Sequence, residues 1–98
     1  MAQFDVYRLP DGPLVVDCQA ELLSYLQSRF VVPLLPPELV QASARLNPLF
    51  TVDDEVLHLF PQGAATIPES DLRTRISSLE GHSYVIMNAI DFLLSGVR

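Results

Sequence analysis

Apolar positions in this chain fall into short blocks cut by proline, glycine and acidic residues, and only the C-terminal stretch carries them at helical spacing. Gln3 to Leu9 is rich in aromatic and β-branched side chains, Pro10-Asp11-Gly12-Pro13 is turn chemistry, and Leu14 to Cys18 is a second apolar block. Together they predict an antiparallel hairpin. Ala20 to Gln27 reads either as a helical turn or as an irregular connection carrying Leu22 and Leu23. Phe30 to Leu35 predicts a strand that Pro33 confines to an edge position or a bulge, because proline has no ladder donor. Leu49 to Val52 and Glu55 to Phe60 flank Asp53-Asp54 and predict a second hairpin with a tight acidic turn. Ala65 to Ile67 offers one more short strand, and Glu69 to Leu79 is open between a short helix and a loop.

The spacing predicts a helix over Ser83 to Ser95, with Ser83 as N-cap and Gly96 as the left-handed stop. Ile86, Ala89, Ile90, Leu93 and Val97 define its core face, and Tyr84, Asn88, Asp91 and Ser95 make a narrow polar stripe. Val85, Met87, Phe92 and Leu94 add apolar groups elsewhere on the wheel. Such a helix packs on a sheet and meets a second surface as well, either a dimer mate or a target. The order of elements predicts a single α+β domain over residues 1–98: a strongly bent antiparallel sheet or small SH3-like barrel with a C-terminal α-helix.

Composition narrows the partners. The 98 residues are 49% hydrophobic and 18% charged, enough apolar surface to fold, and in so small a domain some of it is expected to face a second copy of the chain. Net charge is −6, with no lysine, and of the arginines only Arg73 and Arg75 are close in sequence, which disfavours direct nucleic-acid binding. No stretch approaches the length of a membrane span, no secretory pattern opens the chain, and the expected compartment is the cytosol.

Catalytic chemistry is not legible. His58 falls in a predicted strand and His82 at the helix entrance, neither within a motif for nucleophilic catalysis. Cys18, the single cysteine, reads as a small core residue, and Asp53-Asp54-Glu55 as a solvated turn. Neither metal-ligand spacing nor a glycine-rich phosphate loop is present, so no cofactor is expected.

From end to end the chain resembles the CcdB toxin family. The start carries Met1, Gln3, Phe4, Val6 and Tyr7; Val16-Asp17 and Gln19 follow, then Arg29, Val31-Val32-Pro33-Leu34, and near the end Asn88-Ala89-Ile90-Asp91-Phe92-Leu93 and Gly96. The resemblance implies a non-enzymatic homodimer that binds the DNA gyrase A subunit, traps the gyrase–DNA cleavage complex and is neutralised by a CcdA-like antitoxin. By position it implies gyrase contacts at Leu22, Leu23, Asp91, Leu94, Ser95, Gly96 and Val97, although the leucines and Val97 also read as core or dimer residues. The chain departs from the family's terminal Trp-Gly-Ile, with Ser95-Gly96-Val97 there and Arg98 added, and its first hairpin loop is short and acidic instead of long and basic. An antitoxin fitted to that loop is expected to use apolar anchors and some Lys or Arg. Two other functions stand beside the toxin: a non-poisoning relative that binds antitoxin or gyrase without trapping DNA, and an endoribonuclease like the MazF and Kid toxins, which the charge disfavours.

Overall fold

The computed structural model describes residues 2–96. Seven strands, β1 (Asp5–Arg8), β2 (Leu14–Asp17), β3 (Ser28–Leu35), β4 (Leu49–Val52), β5 (Glu55–Leu59), β6 (Ala65–Pro68) and β7 (Thr74–Ser78), precede one helix, α1 (Ser83–Ser95). All strand pairs are antiparallel, in the order β4-β5-β3-β2-β1-β7 with β6 beside β3. The sheet curls into a half-barrel around its helix, as the α+β expectation requires.

Alternation along the strands sends Val6, Val16 and Val32 to the helix side, where they join Leu59, Ile86, Ala89 and Ile90 in the main core. Tyr7, Val15 and Val31 point the other way and pack with Leu72 in a smaller second core. Ile86 is wholly buried, so Ile86→Ala should cost about 2–5 kcal/mol through lost contacts and the cavity left behind.

The first hairpin closes through Gly12 N donating to Leu9 O and Leu9 N to Pro13 O, with Gly12 at φ +115°. Asp53 and Asp54 both adopt positive φ, 51° and 65°, the pair that lets a two-residue connection follow strand twist.

Several expectations need correction. Glu69 to Leu79 is neither a helix nor a loop throughout: a 3₁₀ turn, Glu69–Asp71, leads into β7. With Ile76 its only large apolar side chain, β7 shows little alternation, and antiparallel pairing with β1 defines it. Pro33 is not on an edge strand. Along one side β3 pairs β2 from Val31 to Leu34, whereas along the other it leaves β6 after Val31 and joins β5 at Leu34. Pro33 sits at that change of partner, where its missing N–H breaks no rung while its carbonyl still accepts from Phe60 N at 2.9 Å. Ser83 lies inside the helix instead of capping it, because a 3₁₀ turn, Glu80–His82, runs directly into α1. Leu93, assigned to the core face, is exposed, since that face is covered only as far as Ile90. Val97 lies outside the described residues.

Candidate functional site

Two apolar displays stand on this scaffold. The first is the turn between β2 and β3. The chain leaves the ladder at Cys18, whose N–H still donates to Phe30 O at 2.9 Å. Glutamine side chains take over the return half of that rung: Gln3 Nε2 donates to Cys18 O at 3.0 Å and Gln19 Oε1 accepts from Phe30 N at 3.0 Å. Residues Glu21–Leu23 then form a 3₁₀ turn with no buried side chain. Leu22 is 87% exposed, Leu23 40% and Tyr25 76%, so the two leucines implied as contacts lie outside the core.

Beneath that turn lies a buried ion pair. Arg29 Nε donates to Asp17 Oδ2 at 2.8 Å, and Nη2 lies 2.7 Å from the same oxygen but off the line of a directed hydrogen bond. The other oxygen, Oδ1, accepts from Gln19 N at 3.1 Å. Burial pushes the Asp17 carboxyl above its ordinary value against the opposing pull of Arg29. Phe4, held at φ +72°, presents its N–H to Asp17 O and its carbonyl to Leu79 N. A left-handed phenylalanine costs roughly 1–2 kcal/mol, and here it fixes the N-terminal turn against the exit of β2.

The second display is the C-terminal half of α1. Met87, Asp91 and Leu94 share one flank at i, i+4 and i+7; Leu94 is 78% exposed, Met87 is exposed and Asp91 is half-buried. Ser95 is exposed and donates its hydroxyl to the Asp91 carbonyl at 2.8 Å. Gly96 ends the helix at φ +69° with its N–H on Phe92 O at 2.8 Å, the left-handed stop the sequence predicts. On the opposite flank, the Arg45 guanidinium lies 4.4 Å over the Phe92 ring and closes that side. Each display is assembled locally, Leu22 and Leu23 in one turn and Asp91, Leu94, Ser95 and Gly96 in the last turns of the helix. Sequence reasoning did not name Tyr25 and placed Met87 only among the apolar groups off the core face; exposure in the fold brings both into these displays.

A third surface also escaped the sequence. Arg8 at the end of β1 bends over the first loop, its Nη1 donating to Gly12 O at 3.2 Å, and it lines a cleft of about 340 Å³ with Leu9, Pro10, Asp71, Arg73 and Thr74. Folding thus brings Arg73 beside Arg8 at the base of a first loop that reads as short and acidic in sequence.

The chemistry-bearing residues have structural partners. His58 is buried, and its Nδ1 sits 2.8 Å from Asn47 O, an acceptor, so that nitrogen carries the proton. His82 is exposed, with its ring 5.2 Å from that of Phe50. Burial, reinforced by Asp17, pushes the Cys18 thiol up to about 12. Among the described residues, no group of three His, Cys, Asp or Glu side chains is placed to hold a metal ion, and no helix is long and apolar enough to cross a membrane.

Fold and surface together define a small curled-sheet α+β domain that displays apolar side chains at a loop tip and at a helix end. The chain belongs to the CcdB protein family, whose family model matches residues 3–96. That family comprises gyrase-directed toxins of toxin–antitoxin modules. No curated protein matches the chain.

Proposed function

We propose that this chain is the toxin of a type II toxin–antitoxin module: a cytoplasmic homodimer that binds the DNA gyrase A subunit, traps the gyrase–DNA cleavage complex and is neutralised by a CcdA-like antitoxin. The observation that carries this reading is the family match over residues 3–96, with Leu22 and Leu94 exposed inside the matched region. No bond to DNA need be made or broken by the toxin. A protein that binds the cleaved gyrase state more tightly than the resealed one shifts the equilibrium toward cleavage by its differential affinity alone. Leu22 and Leu23 supply one apolar anchor, Leu94 and the helix end the other, and the Asp91 carboxylate offers charge for an arginine of gyrase. The exposed Leu93 side chain suits a helix-to-helix contact about a two-fold axis.

A second reading, a non-poisoning relative that binds antitoxin or gyrase without trapping DNA, is favoured by Ser95. A tryptophan anchor lost from an interface costs about 2–4 kcal/mol, roughly 30- to 1000-fold in affinity. Incubating the protein with gyrase, ATP and supercoiled plasmid, followed by detergent and protease, separates the two. Linear DNA in excess of the toxin-free control supports the poison; inhibited supercoiling without linear DNA supports the second reading.

A further inference from the structure

We propose that Gln19 is a positioning residue that latches the β2–β3 turn and so presents Leu22 and Tyr25 as a preformed apolar knob to the partner protein; the partner arm rests on the gyrase reading above. The side chain lies where the strands part and satisfies both sides of the gap. Its Oε1 accepts from Phe30 N at 3.0 Å and its Nε2 donates to Leu23 O at 3.0 Å. An amide N–H only donates and a carbonyl only accepts, so the two contacts fix the orientation of the amide group and require glutamine chemistry. The backbone of Gln19 is held from beneath, its N–H on Asp17 Oδ1 at 3.1 Å, while Arg29 Nε holds the other carboxylate oxygen. A continuous line of bonds thus runs from the buried Arg29–Asp17 pair through Gln19 to the carbonyl of Leu23.

Leu23 is the hub of the turn. Its N–H donates to Ala20 O and its carbonyl also accepts from Leu26 N, while Ser24 N donates to Glu21 O. At the far end, Gln27 O accepts from Glu69 N at 2.9 Å, so the turn is pinned at both stems. None of its own side chains is buried between Glu21 and Leu23, which leaves hydrogen bonds as its source of order. Apolar side chains held in their bound conformation before contact lose less entropy on binding, so the latch acts on affinity while touching no partner itself.

The test uses Gln19→Glu in the full chain. Glutamate keeps the acceptor for Phe30 N but places a carboxylate against Leu23 O, so only the latch is cut. Amide exchange of the free protein should rise roughly 3- to 10-fold at Leu23, Ser24 and Leu26 and stay unchanged at Val16 and Val32 in the strands. Gln19→Met, which cuts both bonds, should raise the exchange of Phe30 as well. Titrated into the gyrase A subunit, Gln19→Glu should bind roughly 3- to 10-fold more weakly than the parent at equal thermal midpoint. Unchanged exchange in the turn, or a rise that Val16 and Val32 share, overturns the latch. A loosened turn with parental affinity overturns the positioning role. If the parent itself does not bind, the gyrase reading fails and the positioning of Leu22 for gyrase fails with it, while the exchange arm still decides the latch.

Discussion

The hydroxyl of Ser95 turns back along α1 and rests on the carbonyl of Asp91 at 2.8 Å, so two of the residues implied as gyrase contacts are bonded within one helical turn. A serine committed in this way adds little area to the end of the helix. In the proposed gyrase site the aspartate's charge and Leu94 would then supply most of the contact, with Gly96 fixing where the chain departs from the helix.

Replacing that serine tests whether the helix end is an under-anchored version of a gyrase site. Ser95→Trp should place an indole on the exposed side of the last turn and raise gyrase-dependent plasmid cleavage roughly 10-fold or more. Because the position is exposed, the thermal midpoint should stay within a few degrees. Equal cleavage by both proteins would remove Ser95 from the site.

A homodimer is the expectation raised by the apolar helix end. Leu93 is exposed in the single chain, and a second copy is the expected cover. Sedimentation at micromolar concentration should give twice the 10.9 kDa chain mass, falling to the chain mass in Leu93→Asp. A monomeric parent contradicts this account.

The pair under the first display should be fragile to single changes and tolerant of a double one. Asp17→Asn or Arg29→Met alone should cost about 3–5 kcal/mol in urea unfolding, since each leaves a buried group without its partner. Desolvation outweighs the pull of Arg29 on the Asp17 carboxyl, so Asp17→Leu with Arg29→Met should cost less than either single change. The pH sign is opposite to that of an ordinary ion-paired carboxylate. With its folded value above the ordinary carboxyl value, Asp17 binds its proton more tightly in the fold, and its own contribution to stability declines as pH rises from the ordinary value through the folded one.

Cys18 should behave as core. With its thiol pushed up to about 12, alkylation by iodoacetamide at pH 8 should be negligible in the native protein and rapid in denaturant. The raised value also means that folding favours the thiol over the thiolate, so the stability contributed by this group falls as pH climbs from the ordinary thiol value toward about 12. Rapid native labelling would show that the β2 exit opens.

Much of this was legible in the sequence where local chemistry decides the outcome. The Pro10 to Pro13 turn, the Asp53-Asp54 hairpin, the Ile86-Ala89-Ile90 face and the Gly96 stop each depend on residues a few positions apart. What escaped depends on pairing between distant segments. Strand β7 is recognised by its partner β1 and not by its own pattern, and Pro33 is tolerated in a central strand because two different neighbours meet there. Asp17 and Arg29 both lie in the stretches that carry the family resemblance, yet their bond appears only when β2 and β3 are in register. Likewise, Gln19 acquires its role because the chain leaves the ladder one residue earlier, and Phe4 adopts a backbone conformation that its residue type disfavours. Of the candidate site, Leu22, Leu23 and Leu94 were named through resemblance, and the fold adds that all three are exposed.

Direct titration of the purified gyrase A subunit with the parent protein tests the central claim most closely. Calorimetry should show saturable binding, weakened at least roughly 10-fold by Leu22→Asp and, separately, by Leu94→Asp; both side chains are exposed, so both variants should keep the parental thermal midpoint. If neither the parent nor Ser95→Trp binds the subunit while both fold and sediment as dimers, this chain is not a gyrase-directed toxin.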